Sequence, residues 1–402
     1  MTIESTVFPL ESRTKLYSFI VLLCIASKEV FKLCFLLVFS DIGEVGENYA
    51  TLWIGLQVVF SIVTGHLSDK HCRKSVLAFT VLISSLSILL LYMNQILPAV
   101  IIDGIFCNVT AVARAAYCDV SYFKLSKHYK GKKEGYQNEH GENHGRSHVR
   151  IIAESYAVQA LPWVIICSSY KIYNSYVFKL AILTWIVSFF SSFFVLKIKK
   201  DKNHSEELSM ISSIKRLGKT KIRIFLSFLF LGISYHLMQY YLDSHFQKET
   251  LSNSFFLLGV GIFIGNIVHL FVRFVPNLKN LFTTYLICAL LFVFGYISSK
   301  YFSSASLSNF SYYLPFAGIS SFALPLIYAG FIKHTKIHEE GFLFGILEAL
   351  LSLAEFLGPI LSKMNIFNFP TFIILLLICS FLTYQRPRKN KEKSHNINSY
   401  YE

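Results

Sequence analysis

Apolar runs of about 20 residues recur along this 402-residue chain, and they constrain its fold more than any other feature. A run of that length is what an α-helix needs to cross the hydrocarbon core of a bilayer. The runs are continuously apolar rather than alternating, which favours membrane helices over the strands of a barrel. Only 15% of the residues are charged, against about 25% in soluble proteins. The sequence therefore predicts an all-α polytopic membrane protein.

Twelve membrane spans are predicted when the apolar runs are taken in order. They lie near residues 16–40, 50–65, 75–92, 96–118, 151–170, 177–196, 222–241, 254–272, 281–299, 309–331, 342–361 and 368–384. Alternate loops are rich in Lys and Arg, which is typical of loops that stay in the cytoplasm. We therefore expect both termini to be cytoplasmic and the protein to lie in a plasma or inner membrane. The net charge of +14 then reports orientation in the bilayer, not binding to nucleic acid.

Two long polar loops interrupt the spans, at residues 121–150 and 197–221. The second lies between the sixth and seventh spans. The sequence therefore predicts an N-terminal six-helix half, residues 1–196, and a C-terminal six-helix half, residues 222–402, which ends in a basic tail.

A weak internal repeat supports this division into halves. Gly65, Asp69 and Arg73 close the second span, and Gly265, His269 and Arg273 close the eighth span with the same spacing.

A dense charge cluster, GHLSDKHCRK, occupies the short loop between the second and third spans. Gly65 would let two helices approach closely, because a small residue removes the side-chain spacer. Asp69 would either pair with basic residues of the loop or face the N-terminus of another helix, where an anion is stabilised. A loop kept only for its positive charge explains the Lys and Arg residues, but it explains neither Gly65 nor Asp69.

This stretch resembles the loop 2–3 signature of the major facilitator superfamily, G-x-L-a-D-R-x-G-R-[RK]. The matching residues are Gly65, Leu67, Asp69, Arg73 and Lys74, whereas Lys70 replaces an arginine and Cys72 replaces a glycine. Spans ten and eleven are also similar to the drug–proton antiporter branch in their spacing of Pro and Gly. The resemblance implies twelve helices in two halves that rock about a central site.

The resemblance further implies a cytoplasmic gate that closes in one state of the transport cycle. Asp69 would then face the N-terminus of span eleven near Gly341, and Arg73 would have a partner in Asp119 at the end of span four. The predicted gate consists of Gly65, Asp69, Arg73, Lys74 and Asp119.

Several ionisable residues lie inside predicted spans, where each costs roughly several kcal/mol and is a candidate for the substrate or proton pathway. They are Lys28, Glu29, Lys32, Asp103, Arg114, Glu348 and Glu355. The first three form either an anion-binding group or a self-neutralised cluster in which Glu29 pairs with Lys32. Arg114 is similar in position to an arginine that the superfamily ties to proton coupling.

Glu348 and Glu355 are seven residues apart in span eleven, which is two helical turns and therefore one face. A carboxylate removed from water holds a proton more readily, as a proton-coupled carrier requires. The alternative is a polar pair that faces neighbouring helices.

Two further groups are better explained without a role in transport. Glu154 opens span five one turn from Arg150 and can simply lie at the membrane interface. His140, His144 and His148 lie in the polar loop, where the glycines between them predict a flexible segment, with a metal-responsive role as the alternative.

The chain contains no Walker A or Rossmann motif and no hydrolase motif, so we expect neither an enzyme nor a bound cofactor or metal. The sequence predicts a monomeric secondary active transporter of a small organic solute, coupled to protons through Glu348, Glu355 or Glu29. The first alternative is a multidrug/proton antiporter, which is weakened because span five lacks the antiporters' G-x-x-x-G-P run. A second, of another class, is a non-transporting membrane sensor or scaffold.

Overall fold

The computed structural model of the chain is helical almost throughout the residues that it describes. These are residues 10–106, 108–129, 137–168, 174–192, 219–245, 248–271, 282–287, 321–329, 340–363 and 369–383, with isolated positions between 289 and 318.

Eleven labelled helices follow one another along the described residues. They are α1 (Leu10–Asp41), α2 (Glu44–Lys70), α3 (Arg73–Tyr92), α4 (Ile96–Phe106), α5 (Val109–Tyr129), α6 (Gln137–Ser168), α7 (Asn174–Ser192), α8 (Lys219–His245), α9 (Lys248–Phe271), α10 (Glu340–Lys363) and α11 (Phe369–Thr383). Residues 282–287 and 321–329 are helical as well.

Four helical segments in the described part of the chain are long and apolar enough to cross a bilayer. They are Glu44–Lys70, Arg73–Tyr92, Ile96–Asp119 and Glu340–Gly358. Shorter apolar stretches occur at Lys179–Phe190, Ile222–Leu237, Gly259–His269 and Ile373–Thr383. In α1 the apolar run is long but contains Lys28, Glu29 and Lys32, so its charges must be neutralised by other helices.

The polar stretch 121–150 differs from the loop that the sequence predicts. Helix α5 continues to Tyr129, and α6 begins at Gln137, so its described backbone is largely helical. A helix that is already formed extends at the gain of one hydrogen bond per residue, which offsets the cost of about 1 kcal/mol for each glycine. The side chains of His140, His144 and His148 lie outside the described residues.

The predicted fourth span is divided into α4 and α5, with Asn108 just before the start of α5. Asn is favoured immediately before a helix because its side chain competes for backbone groups. Most of the central loop predicted at 197–221 lies outside the described residues, and its last three positions begin α8.

Helix α10 contacts helices from both the N-terminal and the C-terminal part of the chain. It packs against α2 and α5, and it packs against α8. Helix α1 packs against α5, α6 and α7, and α9 packs against α6. One large apolar core connects most of these helices, and a second lies around Phe35 and Trp53, whose stacked rings are 5.1 Å apart. The polar residues considered below lie within and between these cores.

Candidate transport site and gate

The backbones of α2 and α10 touch at a pair of glycines. A Cβ atom added to Gly65 would collide with the carbonyl oxygen of Gly341 and would lie 3.0 Å from the Cα of Gly345. Small residues at such a crossing let helices approach until their backbones are in contact. The α2–α10 crossing therefore requires glycine at position 65.

Asp69 caps helix α10 from the neighbouring helix α2. Its Oδ1 accepts a hydrogen bond of 2.9 Å from the N–H of Gly341, and its Oδ2 accepts one of 2.6 Å from the N–H of Phe342. The first N–H groups of a helix have no partner within that helix, and the helix dipole favours an anion there. Asp69 therefore stabilises the N-terminus of α10 only while α2 and α10 are together.

Arg73 ties three carboxylates together beside this cap. Its Nε lies 2.5 Å from Oδ2 of Asp119, and its Nη2 lies 3.1 Å from Oδ1 of Asp69 and 3.8 Å from Oε2 of Glu340. Lys74 follows on α3 and is half-buried. The structure thus brings Gly65, Asp69, Arg73 and Asp119 of the predicted gate together with the N-terminus of α10.

A second ion pair connects the helices in the middle of the bundle. Arg114 of α5 is 1% exposed and donates a hydrogen bond to Glu348 of α10. It also donates to Gln159 over 2.5 Å and to Ser155 over 3.3 Å, both on α6. Its guanidinium carbon lies 4.0 Å from the centre of the Tyr156 ring, a cation–π contact. Side chains of α6 and α10 therefore hold Arg114 in place.

Gln159 extends this arrangement to α1. Its side-chain N–H donates a hydrogen bond of 2.6 Å to Glu29 while its oxygen accepts from Arg114. On the other side of the pair, the Tyr328 hydroxyl donates to Glu348 over 3.4 Å. A continuous polar chain therefore crosses the apolar interior from Glu29 to Tyr328 through Gln159, Arg114 and Glu348.

Lys32 and Glu355 form a third ion pair, between α1 and α10. Lys32 Nζ donates to Glu355 Oε2 over 3.0 Å, and the two side chains are 28% and 20% exposed. The pair is therefore not fully enclosed by protein. Lys32 donates to Glu355 on α10, and Glu29 accepts a hydrogen bond from Gln159 on α6, so both side chains have partners on other helices.

Lys28 and Asp103 are enclosed among the N-terminal helices. Lys28 Nζ lies 2.8 Å from both carboxylate oxygens of Asp103, which also accept hydrogen bonds from Trp53 Nε1 over 2.7 Å and from Ser87 Oγ over 3.2 Å. The Asp103 side chain is 0% exposed. This environment favours a structural role, in which Asp103 joins α4 to α1, α2 and α3, over a place in the transport pathway.

A substitution of Asp103 tests that assignment. Asp103→Asn should lower the free energy of unfolding by about 3–5 kcal/mol, because Lys28 then keeps a buried charge without its counter-ion. The measurement is denaturant unfolding of the purified protein. Lys28→Met/Asp103→Leu should recover most of the loss, because no buried charge remains. Unchanged stability in Asp103→Asn together with lost transport would contradict the structural assignment.

Glu154 of α6 has two hydrogen-bond partners. Glu154 accepts hydrogen bonds from the Tyr117 hydroxyl over 2.5 Å and from Arg150 Nε over 3.0 Å, and Arg150 is largely exposed.

In the second copy of the internal repeat, Gly265 packs against the backbone of Gly318, and a ring nitrogen of His269 forms a hydrogen bond of 2.8 Å with the carbonyl of Phe322. Arg273 lies outside the described residues.

The sequence alone did not single out Gln159, Tyr156, Tyr328 and Glu340. Gln159 is an isolated polar residue in the apolar segment AVQALPW, which is a signal that could have been noticed. Glu340 directly precedes Gly341 at a helix start, where an acidic residue is favoured. The two tyrosines are among 23 in the chain, and no pattern distinguishes them.

Helix α10 carries three carboxylates, and each contacts a cation from a different helix of the N-terminal part of the chain. Glu340 faces Arg73 of α3, Glu348 faces Arg114 of α5, and Glu355 faces Lys32 of α1. We call this set of three contacts the α10 ladder. The ladder extends from position 340 to position 355, which is a rise of about 22 Å along the helix.

No protein-family model matches the sequence, and no curated protein matches it either. Solved structures do match. The human organic anion transporter MFSD10 (TETRAN) has a TM-score of 0.66 and 14% identity, covering 94% of this chain and 100% of that one. A bacterial homologue of the iron transporter ferroportin, in an outward-facing state, has a TM-score of 0.62 and 14% identity, covering 92% and 96%. The same homologue with soaked iron gives 0.63 and 12%, covering 94% and 97%.

These similarities, at full length and low identity, establish the fold. The chain has the major facilitator fold and is a multi-pass integral membrane protein, and the helices in the described part of the chain are consistent with twelve helices in two six-helix halves. The prediction made from the loop motif is therefore confirmed at the level of the fold.

Proposed function

We propose that this protein is a secondary active transporter of a small organic solute, that it works by alternating access, and that protons drive it. The observation that carries the proposal is the buried Arg114–Glu348 pair, which joins α5 to α10 in the middle of the bundle. An ionisable pair at this depth is costly to keep and is a functional site by default. The solved structures with the same fold are those of transporters and their homologues, and one of them is an organic anion transporter.

Glu348 is the best-placed carboxylate to exchange a proton during the cycle. Its charge holds Arg114 against α10, and its side chain is 17% exposed, so it is not fully enclosed by protein. A proton on Glu348 would remove the attraction to Arg114 and would leave Arg114 to Gln159, Ser155 and Tyr156. The contact between α5 and α10 would weaken, which favours the state in which the halves rock apart at this level.

The gate residues would serve the step of the cycle in which one end of the bundle opens and closes. The Asp69 cap and the Arg73 contacts hold α2, α3 and α10 together at the end that the charge distribution predicts to be cytoplasmic. Opening that end would require Asp69 to leave the N-terminus of α10. We therefore propose that the described arrangement is closed to the cytoplasm, and that the protein works as a monomer in a plasma or inner membrane.

Proton flux in proteoliposomes tests the proposal. A pH dye inside the vesicles should respond when one class of solute is added from a panel of amino acids, betaines, organic acids and cationic drugs. Glu348→Gln should reduce the response to background, because the substituted side chain cannot exchange a proton. Glu47→Gln, the same change at an exposed position of α2, is the matched control and should respond like the wild type.

The outcomes separate a transporter from a sensor or scaffold. No flux and no uptake of any labelled solute by the wild type would contradict the proposal. So would substitutions of Lys28, Arg114 and Glu348 that all leave the cellular activity unchanged.

A further inference from the structure

We infer that the transported solute is an organic cation, a protonated amine or quaternary ammonium, which binds at the carboxylates of Glu348 and Glu355. The inference rests on the proposed transport function and assigns the charge of its solute.

The two carboxylates form one acidic face on α10. They are two helical turns apart, and their side chains are 17% and 20% exposed. Neither carboxylate is therefore fully enclosed by protein, and both lie on the same face of α10. Of their two cationic partners, only Lys32 is exposed to a comparable degree.

Arg114 is not available to bind an anionic solute in this arrangement. Its guanidinium donates to Glu348, Gln159 and Ser155, and aromatic rings of Tyr156 and Tyr328 lie against it. An anion that approached this level would meet two carboxylates and a single accessible cation, Lys32. The exposed charges of these three side chains therefore favour binding of a cation over binding of an anion.

A charge count over the described residues at this level of the bundle gives the same sign. The cations are Lys28, Lys32 and Arg114, and the carboxylates are Glu29, Asp103, Glu348 and Glu355. His236 of α8 is within electrostatic reach of Glu355 and adds a positive charge when it is protonated. With His236 neutral, one carboxylate is in excess, and a low-dielectric site with excess negative charge attracts cations.

Lys32 already makes the contact that such a solute would make. Its ammonium group, on a flexible side chain, donates a hydrogen bond of 3.0 Å to Glu355. A solute ammonium would displace it and make the same charge-assisted hydrogen bond. A proton and the solute would compete for the same carboxylates, so that binding of the cation releases the proton. This competition favours exchange of solute against protons over symport.

The inference predicts opposite effects from the two partners of one ion pair. Glu355→Gln should weaken cation binding by about ten- to a hundredfold, because a charge-assisted hydrogen bond is lost. Lys32→Gln should strengthen cation binding, because the internal competitor is removed. A purely structural ion pair would give losses of the same sign from both substitutions. Glu355→Asp keeps the charge and should keep the binding.

Equilibrium dialysis of the purified full-length protein is the test. The probes are pairs of similar shape and opposite charge, namely tetraphenylphosphonium with tetraphenylborate and benzylammonium with benzoate, together with the solute panel used for proton flux. Cation binding that falls in Glu355→Gln and rises in Lys32→Gln would support the inference. Glu47→Gln again serves as the matched control.

Three results would overturn the inference. They are anion binding that is lost in Lys32→Gln, losses of cation binding in both variants, and failure of every cation in the panel to bind. If an anion or a neutral solute still drives a proton flux that depends on Glu348, the proposed function survives while the inference fails. Absence of any flux or uptake is the separate result that removes the proposed function.

Discussion

Arg114→Gln is expected to abolish transport and to lower the free energy of unfolding by about 3 kcal/mol. The value is at the low end of the range for breaking a buried ion pair, because Glu348 keeps some contact with solvent. The substitution removes the donor to Glu348 and Gln159 together and therefore interrupts the polar chain between α1 and α10. Solute-driven proton flux and denaturant unfolding of the purified protein measure the two effects.

Two further variants separate charge from geometry at this position. Arg114→Gln/Glu348→Gln removes both charges, so its stability should return towards that of the wild type while transport stays absent. Arg114→Lys keeps the charge but loses the planar group that reaches Glu348, Gln159 and Ser155 at once, so most activity should be lost. Full transport by the double variant would contradict the assigned role of this pair.

Gly65→Ala is the second substitution with a large expected effect. Its Cβ would collide with the carbonyl oxygen of Gly341, so α2 and α10 must separate and Asp69 must withdraw from the N-terminus of α10. We expect transport to fall at least about tenfold, which corresponds to about 1.4 kcal/mol against closure of the gate. Gly55→Ala is the matched control on the same helix, because a Cβ there meets nothing within 4 Å.

Closure of the gate can be followed directly with a cysteine at Ser61. This residue is fully buried on α2, and its carbonyl oxygen faces Gly345 of α10. In a background without other cysteines, Ser61→Cys should react with a maleimide faster in Gly65→Ala than in Gly55→Ala. Equal labelling rates would show that the glycine contact does not control access.

The gate could be predicted from the sequence because its signal is local. Gly65, Asp69 and Arg73 lie within nine residues, and a glycine and an aspartate have no other reason to occupy a short positive loop. Their partner on α10 came from the family resemblance, not from the residues themselves. Glu340 escaped notice because an acidic residue at a helix start is common and needs no distant partner.

The partners inside the bundle could not be predicted in the same way. Lys28, Glu29 and Lys32 are neighbours in the sequence, yet they bond to Asp103, Gln159 and Glu355 on three different helices. Lys28 and Lys32 are four residues apart and share one face of α1, so helical periodicity alone cannot assign them to different partners, and only tertiary packing decides which helix lies beside each side chain.

The helix boundaries were predicted least well where polar residues continue a helix beyond the apolar run. The stretch 121–150 was predicted as a loop from its glycine and histidine content, whereas α5 and α6 both extend into it. Hydropathy reports where lipid ends, and a helix can continue past that point at the gain of one hydrogen bond per residue.

The α10 ladder also has a consequence for how the protein is made. Two of its carboxylates, Glu348 and Glu355, lie in a segment that is long and apolar enough to cross a bilayer, although each acidic group disfavours insertion by up to about 3 kcal/mol. The chain is synthesised from its N-terminus, so Lys32, Arg73 and Arg114 are already in the membrane when α10 leaves the ribosome. The cations of the earlier helices can then pair with the carboxylates of α10 as this helix inserts. The order of synthesis thereby couples insertion of α10 to correct assembly of the helices before it.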